Sequence, residues 1–247
     1  MKIIVGLLAS ISVLLAGCGG RYDESGSSVD NSGANSQVGG TFNLAQGLAN
    51  FAKTGVNKTF ILSGTCTGRL IYVIDPATST ATFEGGTKFV ANSTQNTVFS
   101  APCIYGGGAG TPRTEDKGSA KIYYDANYIE AGFVVDNGTY SVMKGFFNPP
   151  TDVHVGDTGS YIIDEYLDAT KKYLVVEQLY TYVIKSDTQS SVIYEVTESM
   201  SYGNGAYTRK NILTYRLDLN GQMTLLSIEG IGTYKPGTGI DFRFIMN

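Results

Sequence analysis

The sequence predicts an all-β fold made of antiparallel sheets, with a C-terminal up-and-down meander and one short N-terminal helix. Three observations predict it: the 247-residue chain has 17 tyrosines and 31 glycines, its apolar and polar residues alternate over short runs, and turn residues separate those runs. Aromatic residues favour strands, and glycine favours turns. Only 16% of the residues are charged. This balance suits a β-rich protein with many turns.

The helix is predicted between Thr41 and Gly55. One helical face is apolar, with the i, i+3, i+4, i+7 spacing, at Ala45, Leu48, Ala49 and Ala52. Gly47 interrupts this run and Gly55 follows it, so we expect a short helix.

Short apolar and β-branched runs predict three strands in the N-terminal half, at residues 59–63, 70–74 and 78–83. Asp136-Asn137-Gly138 lies between two further runs and predicts a hairpin. The stretch between Ala101 and Gly118 is rich in glycine, proline and charge, which predicts a mobile loop.

Six strands of the C-terminal meander are predicted at residues 160–167, 172–185, 191–202, 207–219, 223–234 and 240–246. Asn220-Gly221 predicts a type I′ turn. Both faces of the strand at 172–185 are apolar, so we expect it to be covered on both sides. Proline cannot donate to a strand ladder. Pro149 and Pro150 therefore predict a boundary between a disulfide-containing subdomain at 41–148 and the meander subdomain at 149–247.

The N-terminus has the pattern of a secretory signal. A single basic residue precedes an apolar run of about 13 to 16 residues, too short for the roughly 20 that span a bilayer, and the run ends in Leu15-Ala16-Gly17-Cys18. These four residues resemble the lipobox of bacterial lipoproteins. The resemblance implies that residues 1–17 are a signal peptide and that Cys18 carries a covalent lipid.

The lipobox resemblance also implies a location. Gly19, where an aspartate would retain such a protein in the inner membrane, implies anchoring in the outer membrane, facing the periplasm. Residues 18–40 contain mostly Gly, Ser, Asn and Asp after the cysteine, which predicts a flexible tether. The membrane is thus an expected partner, through the lipid.

Cys66 and Cys103 remain once Cys18 is lipidated, and an oxidising compartment predicts a disulfide between them. Two buried free thiols are the alternative. Neither cysteine belongs to a C-x-x-C pair, and two distant cysteines with the single histidine, His154, do not make a four-ligand metal site. We expect no metal and no cofactor.

Catalytic patterns are weak. His154 lies in a proline-flanked stretch without a G-x-S-x-G serine, so we expect a surface loop residue. Asp164 and Glu165 are neighbours on a strand and face opposite ways, as do Glu195 and Glu198, so we expect these acids on solvent faces. We therefore predict no catalytic residue and no enzyme. A formal net charge of −4 also argues against nucleic acid.

The segment from Ser63 to Gly68 and the run Tyr123 to Tyr128 resemble uncharacterised proteobacterial β-rich lipoproteins, in which a paired-cysteine segment precedes a meander. The resemblance covers residues 59–229 and implies no activity. Eight tyrosines could line a binding surface, although sheets favour aromatic residues in general: Tyr123, Tyr124, Tyr180, Tyr182, Tyr194, Tyr202, Tyr207 and Tyr215.

Three functions remain open. The first is a binding or scaffolding module for an unknown envelope protein, favoured by a closed sandwich with a filled interior. The second is a carrier or chaperone of lipids or other apolar ligands, favoured by an open concave sheet lined by Leu, Ile and Tyr. The third is a cell-wall hydrolase, which would show two carboxylates converging in a cleft.

Overall fold

A computed structural model describes residues 40–103, 112–202, 207–234 and 242–246 of the protein. All the strand pairs in these ranges are antiparallel and belong to one sheet, which confirms the all-β prediction. The elements are α1 Leu44–Thr54, β1 Val56–Gly64, β2 Gly68–Ile74, β3 Ser79–Phe83, β4 Gly86–Cys103, β5 Arg113–Tyr124, β6 Glu130–Val135, β7 Tyr140–Lys144, β8 Thr158–Tyr166, β9 Leu174–Thr188, β10 Ser191–Tyr202, β11 Tyr207–Asp218, β12 Met223–Tyr234 and β13 Phe242–Met246.

The sheet curves until its ends meet, so that twelve of the described strands form a barrel-like ring. Consecutive strands pair in order from β4 to β13, then β13 pairs with β1, β1 with β2, and β2 with β4. β4 makes this closure possible because one of its edges holds two partners. Residues 86–90 pair with β3, and residues 93–99 pair with β2.

The core lies inside the ring because side chains alternate between its two faces. Along β10 the inward positions are buried at every second residue: Val192, Tyr194, Val196, Glu198 and Met200. The outward positions between them are exposed or half-buried. The inner face therefore contains charged as well as apolar side chains.

Helix α1 packs on the core of the ring through Leu44, Gly47 and Ala52, whereas Ala45 and Ala49 of the predicted apolar face are only half-buried. Asn43 caps it by accepting a hydrogen bond from the Gln46 backbone N–H at 2.8 Å. Gly47 lies against the side chains of Leu217 and Met223, and a Cβ there would come within 2.6 Å of Leu217. The helix glycine thus permits close packing on the meander.

The meander runs up and down as predicted, but one turn differs from the prediction. At Asn220-Gly221 only the glycine has a positive φ, of 73°, whereas a type I′ turn needs positive φ at both residues. Asp218 explains the difference, since its Oδ1 accepts hydrogen bonds from the N–H groups of Asn220 and Gln222. The predicted hairpin at residues 136–138 joins β6 to β7 and is confirmed.

Two other expectations are corrected. Residues 113–118, predicted as part of a mobile loop, begin β5 and pair with β4. Arg113, Glu115 and Lys117 alternate along the exposed face of this segment, and Lys117 forms an ion pair with Glu115 at 2.9 Å. The sheet also does not divide at Pro149 and Pro150, because β7 pairs with β8 across that position.

The strand predicted to be covered on both sides is covered on one. Val176, Tyr180 and Ile184 of β9 are buried inside the ring, whereas the outward Val175 and Leu179 are 39% and 42% exposed. The reason is the closed single sheet, in which no described element packs on the outside of β9. The signal peptide at 1–17, Cys18 and nearly all of the tether at 18–40 lie outside the described residues.

Candidate ligand-binding site

A cavity of about 100 Å³ lies inside the ring, next to helix α1. That volume holds several water molecules or a small organic group. Sixteen of its seventeen described lining residues are aliphatic or aromatic, and the other is Glu130. The lining includes six tyrosines: Tyr124, Tyr128, Tyr161, Tyr180, Tyr194 and Tyr215. Such a composition favours an organic ligand with a large apolar part.

The rings are held in place by packing on one another. Tyr161 stacks on Tyr180 with centroids 4.7 Å apart, and Phe147 stacks on Tyr161 at 4.5 Å. Phe51 of the helix meets Tyr215 edge-on at 5.6 Å. Burial raises the pKa of Tyr161 and of Tyr215 well above the usual tyrosine range, so both rings stay neutral. The cavity wall is therefore a preorganised aromatic surface.

The sequence left two interpretations of its eight candidate tyrosines: a binding surface, or the general preference of sheets for aromatic residues. The structure divides the tyrosines between these two. Four of the eight that were singled out line the cavity, whereas Tyr123 lies on the outer side, stacked on Phe83 at 4.3 Å. Tyr182 packs against the cavity residue Tyr194 at 5.4 Å. The side chains of Tyr202 and Tyr207 lie outside what the structure describes.

Glu130 reaches the interior because of a β-bulge. Tyr123 pairs with Gly132 and Tyr124 pairs with Glu130, so Ala131 is an extra residue in β6. Paired residues of an antiparallel ladder share a face, and the bulge turns Glu130 to the same inner side as Tyr124. Without the bulge, alternation from the inward Phe133 would place position 130 outside.

The Glu130 carboxyl is strongly perturbed. Burial raises its pKa from the ordinary 4.5 to about 7, and the nearby negative charge of Glu198 adds to the increase. Among the described residues, Glu130 has no hydrogen-bond or salt-bridge partner. A carboxyl without a hydrogen-bond partner in an apolar wall is the group that a polar part of a ligand would pair with.

A polar network adjoins the cavity at Tyr180. The Tyr180 hydroxyl lies 2.7 Å from Oε1 of Glu198 and 2.9 Å from Oε1 of Gln178. Gln178 donates to Glu165 at 2.7 Å, and Asn211 donates to Glu198 at 2.5 Å. Buried polar groups that are joined in this way keep the ring in one packed arrangement.

Glu165 and Glu198 correct the expectation that strand acids face solvent. Both are buried inside the ring, whereas Asp164 and Glu195 lie on the outer side, where Lys144 and Lys185 accompany them. The prediction that neighbouring acids on a strand face opposite sides was correct, but the expectation that all of them face solvent was wrong. Burial, assisted by Glu198, raises the pKa of Glu165 to about 7; the charge of Arg209 and the hydrogen bond from Gln178 oppose the increase.

An outer groove of about 270 Å³ lies on the other side of Glu130. Groove and cavity share four residues: Ile129, Glu130, Met143 and Phe147. Phe146, which is 80% exposed, stands at the groove beside them. Glu130 thus forms part of the wall that separates the interior from the surface.

Tyr128, which lines the cavity, has a strained backbone conformation with a φ of 63°. Asp125 holds it there by accepting hydrogen bonds from the N–H groups of Asn127 and Ile129. The Tyr128 ring stacks on Phe89 at 4.3 Å, and the Lys53 ammonium lies 4.5 Å from its centroid. Positive φ at an aromatic residue is a rare feature that occurs at ligand clamps.

The other predicted residues lie elsewhere. His154 is in an exposed loop, as expected, with Asp152 at 3.6 Å and Asp157 at 3.9 Å from its ring nitrogens. Cys66 and Cys103 are joined by a disulfide with Cα atoms 5.9 Å apart, in agreement with the predicted pairing. Cys18 falls outside the described ranges.

Across the part of the chain that the structure describes, no three His, Cys, Asp or Glu side chains are grouped to hold a metal ion. In the same residues, no helix has the length and apolar character needed to cross a membrane. No protein family, curated protein or solved structure matches the chain. The functional argument therefore depends on the geometry of the cavity.

Proposed function

We propose that this protein is a non-enzymatic binding protein that holds a small, largely apolar ligand inside its barrel-like ring. The observation that carries the proposal is the cavity, whose aromatic and aliphatic wall contains one carboxyl. A scaffold needs only a filled interior, and empty apolar space costs packing energy. A ligand that fills the cavity would explain why the fold keeps this space.

The buried carboxylates do not favour hydrolysis. Glycoside hydrolysis requires two carboxyl groups on opposite sides of a substrate bond. Glu165 and Glu198 are linked to each other through Gln178 and Tyr180 and are both buried. We therefore propose that this pair organises the interior and that no catalytic residue is present.

The lipobox resemblance supports a location of this binding protein at a membrane. We propose that Cys18 carries the lipid, that residues 1–17 are removed, and that the ring stands off the outer membrane on the tether at 18–40. An apolar ligand taken up close to a bilayer would then be enclosed by the ring and separated from water. The ring would thus act as a carrier of apolar ligands and would deliver them to an envelope protein.

Methyl NMR tests the binding proposal directly. Met143 and Met223 line the cavity, whereas Met200 lies elsewhere in the ring. With labelled methionine methyls, benzyl alcohol should shift the signals of Met143 and Met223 in a saturable manner and leave that of Met200 unchanged. Uniform shifts, or none up to the solubility limit, would contradict the proposal.

A cavity-filling variant sharpens the test. Val196 lines the cavity, so Val196→Phe should abolish the saturable shifts. Val175→Phe is the matched control because Val175 lies on the outer face of β9. Overpacking can cost about 1–3 kcal/mol, so both variants are first compared in urea unfolding. Leu213→Ala, which enlarges the cavity, should instead allow larger aromatic alcohols to bind.

A further inference from the structure

We propose that the ligand carries a positively charged amine, which pairs with Glu130 while its apolar part occupies the aromatic cavity. This inference rests on the proposed function, because it assumes that the cavity is a binding site. It adds the chemical class of the ligand: a small amphiphilic amine.

The first argument is the charge of the cavity wall. Glu130 is the only ionisable carboxyl among the described lining residues, and none of these residues is Lys or Arg. The charged group that acts on Glu130 most is another carboxylate, Glu198. A ligand with a positive charge would offset this repulsion, whereas an anionic ligand would increase it.

The second argument is the missing partner. Glu130 has neither a hydrogen bond nor a salt bridge to any described residue, although Glu165 and Glu198 are each hydrogen-bonded. Glu130 is half-buried, and a carboxylate that receives no donor from the protein can accept hydrogen bonds from a ligand. An ammonium group supplies up to three donors and the opposite charge.

The third argument is the surrounding aromatic surface. The face of a tyrosine or phenylalanine ring attracts a cation. The cavity has eight aromatic side chains in its wall, and the Lys53 ammonium already lies over the Tyr128 ring at 4.5 Å from its centroid. An ammonium at Glu130 would therefore be bound by a carboxylate and by ring faces together.

A route to Glu130 is also present. The outer groove and the cavity share Glu130 and Phe147 in their walls, so a ligand in the groove would lie next to Glu130. An amine could approach from outside with its charge toward Glu130. Its apolar part would then pass Phe147 and Met143 into the ring.

Calorimetry with a matched pair of probes tests the inference. Benzylamine, protonated below pH 8, and benzyl alcohol have similar shapes and differ in charge. At pH 8 we expect the amine to bind about tenfold more tightly than the alcohol, in line with a charge-assisted hydrogen bond. Glu130→Gln should remove this preference and leave alcohol binding unchanged. Glu195→Gln, which removes an outward carboxylate of β10, is the control and should keep it.

The pH dependence gives a second readout. Because the pKa of Glu130 is about 7, the preference should weaken from pH 8 to pH 6 in the wild type and stay flat in Glu130→Gln. The ionisable groups that interact electrostatically with Glu130 are Glu198 of β10 and five tyrosine hydroxyls, those of Tyr72, Tyr124, Tyr161, Tyr194 and Tyr215. Burial raises the pKa of all five tyrosines, so they stay neutral in this range.

The outcomes separate the two proposals. If both probes bind equally and Glu130→Gln changes neither, the amine inference is wrong and the cavity remains a binding site. If neither probe shifts the Met143 and Met223 methyl signals, the proposed function itself is wrong. Glu130→Asp, which keeps the charge on a shorter side chain, should retain part of the preference, and its loss there would count against charge pairing.

Discussion

Replacing Glu130 by glutamine should stabilise the protein at pH 8 and have little effect at pH 5. The folded carboxyl keeps its proton up to a pKa of about 7, whereas the ordinary value is 4.5. Unfolding between these pH values therefore releases a proton, and the folded state loses stability as the pH rises. Glutamine stays neutral, so the variant avoids this loss.

The magnitude follows from the size of the pKa change. A difference of about 2.5 pH units corresponds to roughly 3 kcal/mol, since one unit is about 1.4 kcal/mol. The penalty is absent below about pH 4.5, grows between pH 4.5 and 7, and is complete above pH 7. Carboxyls with lowered pKa, such as Glu84 and Asp187, change stability at more acidic pH and do not contribute in this range.

Urea unfolding at pH 5 and pH 8 measures the effect. We expect Glu130→Gln to gain on the order of 3 kcal/mol over the wild type at pH 8 and almost nothing at pH 5. Glu195→Gln, on the outer face, should stay within about 0.5 kcal/mol at both values. If Glu130→Gln and the wild type lose stability in parallel from pH 5 to pH 8, Glu130 is not in a desolvated site and the reasoning is refuted.

Three further predictions concern residues outside the cavity. Cys66→Ser should lower the free energy of unfolding by roughly 4 kcal/mol, because the disulfide to Cys103 closes a long loop. Thiols are counted in a soluble form without Cys18, denatured but not reduced. Two alkylatable thiols in that form would contradict the pairing. Cys18→Ala should abolish palmitate incorporation in cells, and continued labelling would contradict the lipobox interpretation. His154→Ala should change stability by no more than about 0.5 kcal/mol and should complement a deletion at matched expression, since the imidazole is exposed; a folded variant that fails to complement would favour an enzyme.

Strand positions could be predicted well from the sequence because they depend on local patterns. The predicted meander strand at 191–202 coincides with β10, and the predicted helix contains α1. β4 and the start of β5 were missed because their polar residues resemble a loop. Their strand structure depends on pairing with other strands, such as the pairing of β4 with β2, and not on a local pattern.

The candidate site was the least predictable part for a physical reason. Glu130 faces inward through a bulge, and one extra residue reverses the face of a side chain without leaving a local signal. Glu198 could be placed on one face of its strand, but which face is buried depends on the closure of the ring. The sequence signal for the bulge was Gly132, because glycine within a strand often marks a bulge; it lies next to the extra residue Ala131 and has a φ of 149°.

The pairing of β1 with β13 has a consequence for folding. Leu62 pairs with Met246, so a separation of 184 residues is bridged at that seam. Contacts that are so distant in sequence form slowly, because a large loop must be closed before any contact repays it. Until β13 docks, β1 and β12 have open edges that can pair with other chains. Assembly of the interior therefore waits for one five-residue strand, and that delay is when the protein is most vulnerable to aggregation.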